Sequence, residues 1–331
     1  MYISKVLSRL AVCSLSLFLF GAPQIQAAGL LTPAPPVKVT GTKGKFDFIA
    51  IDAERRRLLA AHTGNGSLDI IDLDRSELIK SIPAGAAQDC AVDLKGQRYL
   101  VSVSKPPQLA IVDAETLAVT GTVPLAGPAD LLAIHPISGR AYVDHDDGKH
   151  VWVIDPTHKQ IAATVELATD SPEDLAFDAA GERLFQAMKT ASTMTVIDVA
   201  TNQVTATWPT APAAAPHGIA LIPEAGAIAI AGGNGKVVLM SQKDGTILGS
   251  DEIPLRVDQI AYDGELHRLY CASALGKLTI FAVESGHLLK VDEVATTAGA
   301  RSVAIDPKTH TVWIAYAKGE ESFVQAFAAE K

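Results

Sequence analysis

The feature that most constrains the fold is a short apolar segment that occurs seven times along the 331 residues. Each copy has five residues, with alanine at the third position. The copies end at residues 52, 93, 135, 178, 222, 263 and 306, so they follow one another at intervals of 41 to 44 residues. A period of this size indicates a repeat architecture in which each unit packs on its neighbours.

The alanine at the third position predicts where each copy lies in its repeat. It recurs at Ala50, Ala91, Ala133, Ala176, Ala220, Ala261 and Ala304, mostly between bulky apolar residues. A strand that is apolar on both faces is buried on both faces, and a constant small residue among large ones indicates close packing. We therefore predict that each copy is the innermost strand of its repeat.

Each repeat has room for three further short strands. A second apolar segment lies 20 residues after the first in four repeats, where it ends at Asp72, Asp113, Asp155 and Asp198. Another apolar strand lies between the two segments, and a fourth follows. Seven units of four short strands, without helical periodicity, predict an all-β, seven-bladed β-propeller of four-stranded blades.

The last blade is predicted to be closed by the N-terminal strand. The chain after residue 302 supplies only three strands, whereas residues 36–41 precede the first inner strand as a fourth strand would. Pairing of residues 36–41 with a strand near residues 323–327 would remove two open sheet edges. Residues 36–331 then form a single domain, and residues 28–35 form a short tether.

The N-terminus has the pattern of a secretory signal peptide. Lys5 and Arg9 precede an apolar run at residues 10–20, and Ala27 provides a small residue at the expected cleavage site. A membrane anchor needs roughly 20 continuous apolar residues, about twice this run. We predict a signal peptide at residues 1–27 and a periplasmic or secreted protein without a membrane span after cleavage.

The net charge restricts the classes of partner, and the positions of the cysteines indicate whether they form a disulfide. The formal net charge is −9, and removal of residues 1–27 takes away Lys5 and Arg9 but no acid, which gives −11. A protein this acidic is not expected to hold nucleic acid or an anionic membrane through bulk charge. Cys90 and Cys271 fall in distant blades, so we predict two buried thiols.

A ring of polar side chains is predicted at one mouth of the central channel. In a propeller the loops that lead into the inner strands open on one face, and the residue five before the end of each inner strand stands there. These residues are Asp47, Gln88, Asp130, Glu173, His217, Asp258 and Arg301, with Asp89 and Asp174 adjacent. The ligand-binding candidates among them are Asp47, Asp130, Glu173, His217, Asp258 and Arg301.

Two interpretations of this ring remain open. Carboxylates with one imidazole suit a divalent cation, which makes Asp47, Asp130, Glu173, His217 and Asp258 candidate metal ligands. Alternatively, the acids accept backbone N–H groups within their own corners, Arg301 neutralises its neighbours, and His217 faces solvent.

Three glycine-containing loops are further candidate sites. DHDDGKH, residues 144–150, places Asp, His and Asp side by side, as in a cation-binding loop, but Asp-Gly is also typical of a solvated hairpin tip. HTGNGS, residues 62–67, is interpreted as a turn beside a histidine. GGNGK, residues 232–236, lacks the helix and the Ser or Thr of a phosphate loop and is predicted to be a hairpin.

Residues 151–185, VWVIDPTHKQIAATVELATDSPEDLAFDAAGERLF, resemble the YVTN-type β-propeller repeat family, most clearly in V-W-V-I-D at residues 151–155. The resemblance covers nearly all of the chain after residue 27. It implies a propeller and a role in binding or assembly at the cell envelope. Some related propellers are lactonases, lyases or metal enzymes that work through residues of the channel mouth.

The sequence favours an exported, monomeric propeller that binds a small ligand or an envelope partner protein at the channel-mouth face. The mouth residues differ from blade to blade, and the common signatures of serine hydrolases, zinc proteases and haem attachment are absent after residue 27. The alternative is a lactonase-like, metal-assisted hydrolase or lyase with a divalent cation at the mouth. No other cofactor is indicated.

Overall fold

The computed structural model describes residues 29–284 and 286–330 and contains seven antiparallel sheets. Two short strands come first, β1 (Leu31–Pro33) and β2 (Val37–Lys38). Blades 1 to 3 consist of β3 (Ile49–Asp52), β4 (Arg57–His62), β5 (Ser67–Asp72), β6 (Glu77–Pro83), β7 (Ala87–Asp93), β8 (Arg98–Val103), β9 (Gln108–Asp113), β10 (Val119–Pro124), β11 (Ala129–Ile134), β12 (Ala141–His145), β13 (His150–Asp155) and β14 (Gln160–Glu166).

Blades 4 to 6 repeat the four-stranded pattern, and blade 7 holds the last three strands. These are β15 (Pro172–Phe177), β16 (Arg183–Met188), β17 (Thr193–Asp198), β18 (Gln203–Pro209), β19 (Pro216–Ile222), β20 (Ala227–Gly232), β21 (Lys236–Ser241), β22 (Ile247–Glu252), β23 (Val257–Asp263), β24 (Arg268–Ser273), β25 (Lys277–Glu284), β26 (His287–Ala295), β27 (Ser302–Ile305), β28 (Val312–Lys318) and β29 (Glu321–Ala329). The predicted all-β, seven-bladed propeller is confirmed. Within the described ranges, no helix has the length and apolarity that a membrane crossing requires.

The seven alanines occupy equivalent positions on the inner strands, as predicted. Each pairs with the third residue of the second strand in its blade, or with the second residue in blades 3 and 7; the partners are Leu59, Leu100, Tyr142, Phe185, Ala229, Tyr270 and Trp313. Residues opposite each other in an antiparallel pair share one face of the sheet. Because six of the seven partners are bulky, alanine leaves them the space to pack against the next blade.

The core consists of seven apolar layers, one between each pair of adjacent blades. Each layer contains one inner-strand alanine at its channel side; Ala50, for example, packs in the layer between blades 1 and 2, and Ala304 in the layer between blades 7 and 1. The blades are therefore held by face-to-face burial of apolar side chains. No blade can bury both of its faces alone, so the seven layers depend on closure of the ring.

The repeated aspartates stabilise turns on the face opposite the predicted mouth. The Asp that ends an inner strand accepts backbone N–H groups two to five residues later, as Asp52 does from Arg55 and Asp178 does from Glu182 and Arg183. The Asp that ends the third strand does the same, as Asp113 does from Glu115 and Thr116. These conserved spacings in the repeat therefore reflect turn chemistry.

Closure of blade 7 involves more of the N-terminus than the sequence predicts. β2 pairs with Phe323 and Val324 of β29, within the predicted segment. In addition, β1 pairs with residues 327–329 of β29, although residues 28–35 are predicted to be only a tether. The reason is that Leu31 is buried in the apolar layer between blades 6 and 7, which draws this segment into the sheet.

A buried Ser-His-Asp arrangement fastens blade 7 to blade 1. His62 Nδ1 lies 2.7 Å from Asp69 Oδ2, and His62 Nε2 lies 3.1 Å from Ser322 Oγ of β29. Ser67 and Ser81 donate their hydroxyl groups to the other oxygen of Asp69. The order of groups is that of a serine hydrolase, but the side chains of His62, Asp69 and Ser322 are all completely buried, so the network serves closure of the ring.

The two cysteines that remain after residue 27 are buried free thiols, as predicted. Cys90 lies in blade 2 and Cys271 in blade 6. Burial raises the pKa of both thiols, which keeps them protonated and unreactive.

Deletion of residues 28–41 should destabilise the propeller, because it removes β1 and β2 and exposes the edge of β29. We expect the melting temperature to fall by more than about 10 °C and the protein to aggregate, as measured by scanning fluorimetry and light scattering. A matched deletion of residues 1–27 leaves both strands in place. Equal melting temperatures for the two deletions would contradict closure by this segment.

Replacement of His62 should test the second element of closure. His62→Ala leaves a cavity beside Phe46, whose ring stacks on the imidazole, and removes the partner of a buried carboxylate; we expect a loss of about 2–4 kcal/mol in the free energy of unfolding. Ser322→Ala should cost about 1 kcal/mol, since His62 keeps its contacts with Asp69 and with the carbonyl oxygen of Gly44. Denaturant titrations measure both, and a larger loss for Ser322→Ala would be inconsistent with this network.

Candidate functional site

The seven side chains predicted at the channel mouth line one cavity of about 210 Å³. Each comes from a different blade, because each precedes or begins an inner strand on the same face of the disc. Asp47, Gln88, Asp130, Glu173, His217, Asp258 and Arg301 are joined in the cavity wall by Lys45, Phe48, Leu131, Asp146 and Lys189. We call this the mouth cavity.

A chain of alternating basic and acidic side chains runs around the wall from blade 4 to blade 1. Lys189 Nζ lies 2.7 Å from Glu173 Oε1, and His217 Nδ1 lies 3.1 Å from Glu173 Oε2. His217 Nδ1 is also 3.7 Å from Asp258 Oδ1. Arg301 then connects the two remaining acids, since its guanidinium lies 2.7 Å from Asp258 and 2.9 Å from Asp47.

His217 owes its position to the glycine that follows it. A Cβ atom on Gly218 would lie 2.2 Å from the carbonyl oxygen of Asp258, so only glycine allows β19 to approach β23 this closely. The same approach brings the imidazole within reach of the Asp258 carboxylate. His217 is therefore directed at its neighbours in the wall, and the interpretation of it as a solvent-facing corner residue is wrong.

The other half of the wall is less strongly paired. Gln88 bonds to Ser104 Oγ at 2.7 Å and to Thr63 Oγ1 at 3.2 Å, both on loops between second and third strands. Asp130, in blade 3, accepts no hydrogen bond from any described residue through its carboxylate, and it lines the cavity. The wall thus has a paired half in blades 4 to 7 and 1, and an unpaired acid in blade 3.

A second ring of residues stands above the first. The residue 16 positions after each mouth residue directly follows the second strand in six blades and lies near its end in blade 7. These residues are Thr63, Ser104, Asp146, Lys189, Gly233, Ala274 and Ala317. Polar side chains therefore cover blades 1 to 4, whereas Gly and Ala leave His217, Asp258 and Arg301 accessible on the other side.

The acids one residue beyond the mouth behave differently from the mouth acids. Asp89 accepts the N–H groups of Cys90 and, across the blade boundary, of Leu132. Asp174 accepts those of Leu175 and Ile219 in the same way. The interpretation of acids that satisfy local backbone donors is thus correct for this layer, where the carboxylates link adjacent inner strands.

Burial shifts the protonation of this acidic region. Burial raises the pKa of Asp89 to about 7 and that of Asp174 to about 8, although the N–H groups that they accept oppose the shift. Burial also raises the pKa of Asp47 to about 7, against the attraction of Arg301. For Glu173 burial acts in the same direction, but His217 and Lys189 outweigh it and hold the pKa below its ordinary value.

The candidate metal ligands do not form a coordination sphere. Asp47, Asp130, Glu173, His217 and Asp258 all line the cavity, yet all of them except Asp130 already bond to Arg301, Lys189 or one another. Among residues 29–284 and 286–330, no three His, Cys, Asp or Glu side chains are placed to hold one ion. The arrangement offers hydrogen-bond donors and acceptors to a polar ligand instead.

The side chains of the loop at residues 144–150 lie in different environments. Asp144 is fully buried and accepts the N–H of Leu131. Asp146 and Asp147 are both exposed, but only Asp146 lines the mouth cavity. His145 stacks on His150 with ring centroids 4.8 Å apart. The loop is the predicted hairpin tip between β12 and β13, and its side chains do not converge on a common ion. GGNGK likewise forms the predicted hairpin, between β20 and β21.

Two residues of the cavity wall were not predicted individually from the sequence, Lys45 and Lys189. Lys189 stands 16 residues after Glu173, the same offset that places Asp146 after Asp130 and Ser104 after Gln88. This constant offset is a sequence signal that identifies the second ring. Lys45 lies on the loop before β3, two residues before Asp47, where the repeat has no equivalent signal.

No protein-family model matches the chain, and no curated protein sequence matches it. Solved structures do match. Hydrazine synthase of Kuenenia stuttgartiensis is 16% identical with a TM-score of 0.71, over 85% of this chain and 96% of that one. The WD40 repeats of RRP9 are 11% identical (TM-score 0.78; 90% and 99% covered), and U3-55K is 11% identical (TM-score 0.76; 88% and 98% covered).

The fold and the comparisons define a class of protein. The chain is a seven-bladed β-propeller with WD40-repeat proteins among its structural neighbours. At 11–16% identity the likeness shows the fold alone. The function must therefore be argued from the mouth cavity.

The raised pKa values of Asp47, Asp89 and Asp174 predict that stability falls as pH rises. A carboxyl whose pKa is higher in the folded state stabilises fully below its unfolded pKa, near 3.8, and loses that contribution as the pH passes 7 to 8. We expect the melting temperature to drop by about 3–6 °C between about pH 5 and about pH 8.

The variant Asp174→Asn isolates one of these groups, because asparagine keeps an acceptor for one N–H group but does not titrate. Its melting temperature should be lower at pH 5 and should change less with pH than that of the unaltered protein. A melting temperature that rises from pH 5 to pH 8, or a slope unaffected by Asp174→Asn, would contradict the assignment.

Proposed function

We propose that this protein is a non-enzymatic binding propeller that holds a small polar ligand in the mouth cavity. The observation that carries the proposal is the convergence of seven polar side chains, one per blade and of five residue types, on a single cavity of about 210 Å³. A ligand is held by groups that converge, and a concave site with a few directed polar groups is the usual form of a small-molecule site. The described wall contains no Ser, Thr or Cys nucleophile.

The wider setting of the proposal comes from the sequence. The YVTN-type resemblance of the repeat favours a binding or scaffold role at the cell envelope, and the N-terminal pattern with Lys5, Arg9 and Ala27 favours export to the periplasm or beyond. A monomeric propeller could present the rim of the mouth to an envelope partner protein as well. The ligand bound in the cavity is the part that can be tested directly.

The test is a thermal-shift screen followed by calorimetry. Purified protein is screened against small amines, organic acids, amino acids, sugars and divalent metal ions. At least one compound should raise the melting temperature, and His217→Ala should weaken its binding more than about tenfold, because the imidazole lies in the cavity wall. The control is His158→Ala, which removes an exposed histidine from a turn on the opposite face of blade 3.

The result also separates this proposal from the metal-assisted hydrolase or lyase. If the protein hydrolyses a lactone or ester panel only with an added divalent metal, and His217→Ala abolishes that turnover, the protein is an enzyme and the binding proposal is wrong. Equal effects of His217→Ala and His158→Ala on ligand affinity would place the site elsewhere on the propeller.

A further inference from the structure

Asp130 is the mouth residue that most needs a partner. Its side chain is partly buried in the cavity wall, and its carboxylate has neither a hydrogen bond nor an ion pair with the described residues. Asp146 is an exposed residue on the next loop of the same blade; it lines the same cavity, and its carboxylate also has no polar partner in the described part of the chain. Two unpaired carboxylates in one cavity repel each other, and a bound cation offsets that repulsion.

The cations of the wall cannot serve Asp130 and Asp146, because most of them are already engaged. Arg301 bonds to Asp47 and Asp258, and Lys189 bonds to Glu173. The whole wall contains five acids and three basic side chains, and Lys45 is an exposed residue at the rim beside Asp47. The charge left over is therefore negative and is concentrated in blade 3.

The size and lining of the cavity restrict the cation further. About 210 Å³ is smaller than the roughly 300–1,000 Å³ of pockets for drug-sized ligands. Quaternary ammonium groups are recognised by aromatic cages, whereas the one aromatic ring in this wall, Phe48, is 6% exposed. Carboxylates recognise N–H donors, and a bare metal ion finds no group of three ligands among the described residues.

We propose that the ligand is a small organic ammonium ion with at least one N–H group, bound by Asp130 and Asp146. This inference rests on the proposed function and names the chemical class that the mouth cavity accepts. Asp130 forms a charge-assisted hydrogen bond to the ammonium group deep in the cavity. Asp146 binds a second ammonium group of the same ligand, or the same group from above.

Binding of such a cation should be linked to proton release. Burial, followed by the charges of Asp47, Glu173, Asp146 and Asp258, raises the pKa of Asp130 well above its ordinary value. The charged or titratable groups that act on Asp130 from the surrounding elements are Asp47, Asp144, Asp146, Glu173, Asp258, Lys189 and Arg301. Because a cation binds the ionised carboxylate, affinity should increase from about pH 5 to about pH 8.

The experiment is isothermal titration calorimetry of the full chain with 1,4-diaminobutane, tetramethylammonium and Ca²⁺ as probes. We expect 1,4-diaminobutane to bind with a dissociation constant below about 1 mM and the other two to bind at least tenfold more weakly. Titrations in two buffers of different ionisation enthalpy should show proton release at pH 7. Binding of Ca²⁺ or tetramethylammonium with equal affinity would overturn the proposal.

The matched variants differ only in which carboxylate they remove. Asp130→Asn and Asp146→Asn should each weaken 1,4-diaminobutane binding by about tenfold or more, and Asp130→Asn should abolish proton release. Asp147→Asn makes the same charge change on the neighbouring, exposed residue and should leave affinity unchanged. Thermal melts at pH 7 report folding, and Asp130→Asn should melt no lower than the unaltered protein, since the carboxyl group has no partner in the described residues to lose.

The same ammonium group occurs in free amines and in the lysine side chains of a protein partner. Butylamine and N-acetyl-lysine amide distinguish the two sources: equal affinities support a free amine, and at least tenfold tighter binding of the lysine derivative supports a partner that inserts lysine. Binding of neither, together with no response to 1,4-diaminobutane, overturns the inference.

Failure of this inference is distinguishable from failure of the proposed function. If the screen finds a neutral or anionic compound whose affinity depends on His217 but not on Asp130, the mouth is a binding site for another class of ligand. If no compound responds to His217→Ala, the mouth cavity itself is not the site.

Discussion

Closure of the ring is the interaction on which the remaining structure depends. Antiparallel pairing of β1 and β2 with β29 completes blade 7, and Ser322, His62 and Asp69 join that blade to blade 1. Each apolar layer lies between two blades, so an open ring would leave two apolar faces in water. The mouth cavity exists because all seven inner strands are held around one axis.

The mouth combines two ways in which buried acids become tolerable. In the paired half, Arg301, Lys189 and His217 alternate with Asp47, Asp258 and Glu173, so each acid lies beside a basic side chain. In the layer beneath, Asp89 and Asp174 accept backbone N–H groups from two blades. The carboxylate of Asp130 has neither a basic side chain nor a backbone N–H group as partner among the described residues. This difference from the other six mouth residues makes Asp130 a candidate binding group and not a structural carboxylate.

Much of the architecture could be predicted from the sequence because the residues that recur in each repeat are those that pack in the core or form turns. The alanine at each third position marks the inner strand, and the Asp at each strand end marks a turn, so blade number and order follow from spacing. The set of residues around the mouth follows from the same register. β1 was missed because three paired residues with Leu31 as their only buried side chain give no periodic pattern.

The contacts within the mouth could not be predicted in the same way. That His217 bonds to Glu173, while Asp130 bonds to nothing in the described structure, depends on side-chain directions across blade boundaries. Gly218 decides the distance between β19 and β23, yet in the sequence it reads as an ordinary turn residue. Distances between residues 40 or more positions apart are a property of the closed ring, and no local pattern encodes them.

Because the offset between the two rings is always 16 residues, each side chain around the mouth is specified by its blade and by its ring, first or second. The positions of the two rings are distinct from the alanines and their cross-strand partners, which hold the layers together. The residues around the mouth and the residues that hold the apolar layers together are thus separate sets. In a propeller of this kind, exchange of residues at one ring position can change the ligand while the apolar layers stay intact. The small residues of the second ring in blades 5 to 7 leave the most space for such exchanges.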